Sequence, residues 1–212
     1  MQLSKNDIQN ANRIYRLNLV NSVTGIKPGN LIGTKDKEGN ENLAIFSSVI
    51  HLGSDPALLG FITRPSKEVP RHTLQNIKET GSYTINHIPI SSIENAHKTS
   101  AKFEKGISEF DVCNFTPEYI EGFTAPFVKE SHLKIGLLFK EEIPIPLNGT
   151  SLIIGEIEYI QINDECIDTN GYIDLEKSES AGISGLNTYY SFNKLASFPY
   201  ARVENCINTS TL

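Results

Sequence analysis

The sequence has 212 residues, is 39% hydrophobic and 21% charged, and carries a formal net charge of -6, with a pI near 5.4. That is enough apolar material to build one domain with a real core, and too much for a disordered chain. An acidic surface excludes nucleic acid and anionic lipid as default partners. Three scattered cysteines, Cys113, Cys166 and Cys206, show no CxxC or metal-like spacing, which argues against a disulfide framework and fits a reducing compartment. No apolar run approaches the roughly 18 residues of a membrane-spanning helix. The first residues, Met1 to Asp7, lack the basic-then-apolar order of a secretory signal. A cytoplasmic protein with a single domain over 1–212 is therefore expected. The Asn-x-Ser/Thr triplets at Asn114, Asn148 and Asn208 are read as chance.

In chain order, Ser4 and Asp7 resemble a helix-starting cap. Ile8, Ile14, Leu17 and Val20 then fall on one side of a helix that Gly25, Pro28 and Gly29 end. Residues 30–34 read as a short strand and 35–40 as a charged turn in which Gly39-Asn40 suits a hairpin. Residues 42–50 read as an apolar strand interrupted at Ser47-Ser48, and 57–63 as an adjacent buried strand. A helix is predicted from about Pro70 to Thr80, with Leu74 and Ile77 inward and Gly81 at its end. Residues 82–87 alternate as a strand, and 91–105 read as a weakly amphipathic helix. Residues 107–130 have no period, contain Pro117, Gly122 and Pro126, and are expected to wrap the surface. The longest strands are predicted at 132–145 and 150–161, with Asn148-Gly149 as a two-residue hairpin between them. A short strand at 172–175, a Gly-containing loop and Tyr189-Tyr190 complete the reading. Many strands, few helices and hairpin punctuation predict a mainly β fold, an antiparallel barrel with peripheral helices.

The chemistry concentrates between residues 42 and 76. With Pro70 at the first helical position, the N–H groups of Arg71, His72 and Thr73 would be free at the positive end of the helix, a ready anion site. Arg71 adds a bidentate guanidinium and Thr73 a hydroxyl, and Arg64, just past the preceding strand, can reach the same anion. The alternative is that both arginines are solvated surface charges and Thr73 a local cap. Ser47 and Ser48 sit inside an apolar strand, where hydroxyls require partners. They either bond their own backbone at a bulge or meet the polar edge of a ligand. His51 and His87 read as core or rim histidines. No metal-ligand pattern and no nucleophilic triad is present in the sequence, so no catalytic side chain is assigned.

At these residues the chain resembles the flavin reductase-like family with the FMN-binding split barrel, over about 16–202 and with most likeness to its flavoredoxin-like branch. Asn42-Leu-Ala-Ile-Phe-Ser-Ser, Leu59-Gly-Phe-Ile-Thr-Arg-Pro, Arg71-His-Thr-Leu-Gln-Asn and Gly81-Ser-Tyr-Thr-Ile-Asn carry the resemblance. It implies an antiparallel split β-barrel with peripheral α-helices that binds FMN at a homodimer interface. By position it implies that Ser47 and Ser48 meet the phosphate or ribityl chain, and that backbone at Val49 and Ile50 meets the flavin ring. Arg64, Arg71 and Thr73 would bind the phosphate, and Asn76 would support that helical turn. The implied activity is hydride transfer from NAD(P)H to flavin and on to an acceptor. The sequence departs from many relatives in having His72 where they carry an acidic residue, and in having no Arg in Ile183-Ser-Gly-Leu-Asn-Thr-Tyr189. His97 is a candidate for the open face of the flavin ring. Tyr189 and Tyr190 would stack on it or seal the dimer. Three function classes stay open: an NAD(P)H:flavin oxidoreductase, an FMN-holding electron carrier without a nicotinamide site, and a non-catalytic split-barrel binding module.

Overall fold

A computed structural model of the protein describes residues 1–65 and 71–202. The chain begins with helices α1 (Lys5–Asn10) and α2 (Arg13–Ser22), followed by strands β1 (Lys27–Pro28), β2 (Asn30–Lys35), β3 (Glu41–Phe46), β4 (Ile50–Ser54) and β5 (Ala57–Thr63). Next come α3 (His72–Thr80), β6 (Ser82–His87), α4 (Ile93–Lys98), α5 (Glu109–Val112), β7 (Pro117–Glu118) and β8 (Phe127–Val128). The long strands β9 (Leu133–Ile145) and β10 (Thr150–Ile162) precede β11 (Ala181–Ser184) and β12 (Thr188–Ser191). The main sheet has seven strands in the order β3-β2-β6-β9-β10-β5-β4, each neighbouring pair antiparallel. A smaller sheet joins β1, β11 and β12. The mainly β, antiparallel barrel with peripheral helices is as the sequence predicts.

The main sheet is buried on both faces around β2, whose residues Leu31 and Ile32 belong to different apolar clusters, as successive residues of a strand must. Ile32, Phe61, Tyr83, Ile85, Leu137 and Ile153 form the cluster that Leu74 and Ile77 of α3 join. Leu31 and Leu43 face a second cluster with Ala96, Phe110, Phe115, Val128 and Ile183. Tyr83 fits because its neighbour is Gly155, where a Cβ would come within 2.2 Å of the Tyr83 hydroxyl.

Several local expectations change. The N-terminal stripe forms two helices: Ser4 and Asp7 do form a capping box on α1, but Asn12 starts a second helix by accepting from the Ile14 N–H. Ile14 and Val20 are exposed, so this stripe covers no core of its own chain. Residues 42–50 are not one strand, and β3 does not pair with β5. β3 pairs with β2, while β4 pairs with β5, whose other neighbour is β10. The helix expected over 91–105 stops at Lys98, where the Thr99 hydroxyl turns back to the Ala96 carbonyl. Residues 107–130 do more than wrap the surface, since Phe110, Cys113, Phe115, Phe123, Ala125 and Phe127 are buried. Asn148-Gly149 ends a four-residue turn, both N–H groups reaching the Ile145 carbonyl. Residues 172–175 form only an isolated bridge between Ile173 and Ile167. The last hairpin is instead β11–β12, turned at Gly185, which has φ +64°.

His87 closes β6 with Nδ1 3.1 Å from the Ser180 hydroxyl. Burial lowers its pKa from 6.5 to about 4. Between those values the unfolded chain takes up a proton that the folded chain refuses. The stability contribution of His87 is therefore complete above pH 6.5 and lost as pH falls towards 4. Denaturant titrations should show His87→Gln with a shallower acid-side decline than wild type, the two curves diverging by about 3 kcal/mol at most. Parallel curves across this window would contradict the assignment.

Candidate functional site

Where β3 ends, the chain crosses from one edge of the seven-stranded sheet to the other. Ser47, Ser48 and Val49 make the crossing. Ser48 secures it by accepting from the Ile62 N–H at 3.1 Å and donating to the Ile62 carbonyl at 3.3 Å. One side chain thus supplies both halves of a ladder interaction where the backbone leaves its strand. This resolves one of the two sequence readings of Ser48: its partner is backbone, but that of a neighbouring strand.

Over this crossing lies a cleft of about 640 Å³, within the roughly 300–1,000 Å³ of small-molecule sites. Ser47, Ser48, Arg64, Arg71 and Thr73 all line it. Val49 and Ile50 are not among its lining residues; Val49 packs against the interior cluster, and Ile50 is exposed on β4. Asn76 stands one turn further along α3, also outside the cleft, and donates from Nδ2 to the Thr34 hydroxyl at 3.1 Å. Pro70 lies outside the described residues. The helix begins at His72 with Arg71 as its N-cap residue, so the first-turn N–H groups are those of His72, Thr73 and Leu74 rather than Arg71, His72 and Thr73. Among the described residues no acceptor takes them. The first bond from the cap is Gln75 N–H to the Arg71 carbonyl, at 3.0 Å. Arg71 is itself oriented, its Nε donating to the Pro65 carbonyl at 3.2 Å.

Of the opposite wall the sequence reading singles out only His97. That wall is the segment Thr99 to Phe103, which the sequence reading placed in a helix, together with His97, Glu109, Leu186 and Asn187. His97 Nδ1 lies 3.0 Å from the Tyr189 hydroxyl, the two rings meeting edge to face at 5.8 Å. Burial pushes the Tyr189 phenol up to about 12, so it stays protonated. Tyr190 is exposed and outside the cleft lining. Glu109 is buried, accepts from the Leu43 N–H at 2.9 Å, and has its pKa raised by burial. Among the described residues it is the single carboxylate on a lining that holds Arg64, Arg71 and Lys102. A protein of net charge -6 thus contains a cleft that is cationic among its described residues, with helix-start N–H groups that no described residue accepts beside a hydroxyl and two guanidinium groups. That donor set fits a phosphate, and Ile45, Phe46, Leu74 and Ile183 give the same cleft an apolar part.

Residues 26–177 match the flavin reductase like domain. The chain belongs to that family. A candidate flavin reductase with a split barrel domain from Shewanella frigidimarina NCIMB 400 is 48% identical and superposes with a TM-score of 0.91, over 95% of this chain and 100% of that one. Nitrilotriacetate monooxygenase component B from Bacillus cereus is 18% identical, TM-score 0.82, over 93% and 98% of the two chains. Flavoredoxin of Desulfovibrio vulgaris (Miyazaki F) is 20% identical, TM-score 0.74, over 95% and 98%. The last two are likenesses of fold. The split barrel expected from the sequence is the fold that this family member has. Among the described residues no helix is long and apolar enough to cross a membrane, and no cluster of His, Cys, Asp or Glu is arranged to hold a metal ion.

Ser48→Ala should leave the Ile62 N–H without its acceptor and lower unfolding free energy by about 1–2 kcal/mol. An unchanged denaturation midpoint would show that the crossing does not rely on this side chain.

Proposed function

We propose that the cleft binds FMN and that the protein is an NAD(P)H-dependent flavin oxidoreductase working as a homodimer. The observation that carries this reading is the convergence of Arg64, Arg71, Thr73 and the free first-turn N–H groups of α3 on one cationic cleft, in a chain of the flavin reductase like family. Arg71, already held by the Pro65 carbonyl, and Arg64 neutralise the phosphate, while Thr73 and the helix start hydrogen-bond it. Ser47 offers a hydroxyl at the rim. Asn76 supports the turn from behind, through Thr34. The apolar side chains of Ile45, Phe46 and Leu74 exclude water from the ring system. Bound flavin supplies the redox chemistry, accepting a hydride from reduced nicotinamide and passing the electrons to an acceptor. The exposed apolar residues Ile14, Tyr15, Val20 and Val23 of the N-terminal region, near the lining residue Asn21, support pairing with a second copy.

An FMN-holding electron carrier is the second reading. It is favoured by the 183–189 segment, which brings the uncharged Leu186 and Asn187 to the cleft and no arginine.

One preparation separates the readings. The oxidoreductase should sediment as a dimer, purify yellow or become so with FMN, and bleach anaerobically on addition of NADH or NADPH. A yellow protein that either nucleotide leaves oxidised would be the carrier. A colourless protein whose melting temperature does not rise with FMN would remove both readings. Arg71→Ala should weaken FMN binding by about 1.5–3 kcal/mol, or roughly ten- to hundredfold in Kd. An unchanged Kd would place the phosphate elsewhere.

A further inference from the structure

Two asparagines tie α3 to the sheet. Asn42 of β3 donates from Nδ2 to the Thr73 hydroxyl oxygen at 3.1 Å, and Asn76 donates to the Thr34 hydroxyl oxygen at the same distance. Thr34 and Asn42 are partners across β2 and β3, so the two bonds lie side by side. All four residues are less than one-tenth exposed. Only one of the bonds faces the cleft: Asn42 and Thr73 line it, whereas Thr34 and Asn76 do not.

A hydroxyl has one proton and two lone pairs. In Thr73 one lone pair is taken by the Asn42 amide. Among the described residues, no acceptor receives its proton. Among the described residues the hydroxyl therefore stands as an unused donor, beside N–H groups of the same helical turn that find no acceptor there either. Were Asn42 absent, the oxygen would be free to accept from those N–H groups or from water, and the proton would lose its fixed direction.

We propose that Asn42 is a positioning residue that makes the cleft selective for a phosphorylated ligand. By occupying the acceptor side of Thr73, it turns that hydroxyl into a donor aimed at the anion, so that the first turn of α3 presents donors only. This rests on the FMN reading above and adds what in the chain distinguishes FMN from the same flavin without its phosphate.

The test titrates the full-length apoprotein with FMN and, separately, with riboflavin. Asn42→Leu, which removes the donor at similar volume, should raise the FMN Kd by about three- to tenfold while moving the riboflavin Kd by less than about twofold. Asn42→Ser, too short to reach Thr73, should do the same and serves if the leucine variant does not fold. In a Thr73→Val background the Asn42→Leu change should add nothing, because the two act through one bond. Equal losses for both flavins, or an undiminished loss in the Thr73→Val background, would overturn the assignment while leaving FMN binding intact. So would a wild type that binds both flavins equally. A wild type that binds neither would remove the FMN reading and the role of Asn42 with it.

Discussion

β3 and β4 are consecutive in the chain and yet form opposite edges of one sheet. A sheet cannot have its two ends joined by three residues unless it curls until those ends meet. Closure is therefore forced by connectivity, and Ser47, Ser48 and Val49 must span the remaining gap. No backbone ladder can form there, which is why the Ser48 hydroxyl bonds both polar groups of Ile62. The cleft follows from the same constraint, because the seam leaves backbone and small polar side chains uncovered where Arg64 and α3 arrive.

Charge in this protein is organised against its average. Acidic residues outnumber basic ones in the sequence, but among the described residues ion pairs such as Lys98–Glu94, Lys140–Glu156 and Lys194–Asp174 lie on the outside. Such exposed pairs contribute little. Around the cleft the balance among the described residues reverses, with one carboxylate against three cations. An acidic exterior with a cationic depression disfavours long nucleic acids, whose charge extends beyond the depression, and favours small anions that fit inside it.

How much could be read from sequence depended on the range of the interactions involved. β2, β5, β6, β9 and β10 were legible because period and β-branching are local, and α3 because Gly81 ends it in the left-handed region with φ +76°. Ser47, Ser48, Arg64, Arg71 and Thr73 were legible as a group because they surround one turn of chain that must adjoin a helix start. Asn76 follows from the family resemblance, whereas Asn42 has no local signal, because its contact with Thr73 spans 31 residues. The far wall combines residues 99–103, read as part of a weakly amphipathic helix, with Glu109 from a stretch without period whose Phe110 and Phe115 enter the core. Split strands were missed for a similar reason: Phe46 and Ile50 look like one apolar run, and only the sheet order shows that they belong to different edges.

Glu109 has a consequence for the protein's behaviour in company. β3 is an edge strand, and its unpaired N–H groups are a template on which a strand from another molecule can add. The carboxylate on the Leu43 N–H occupies that template from within the same chain, and α5 carries a bulky Phe110 in behind it. Burying an acid next to Cys113 and the aromatic cluster is costly, as its raised pKa records. In return the Leu43 N–H, on the edge strand beside the cleft, is closed to β-augmentation.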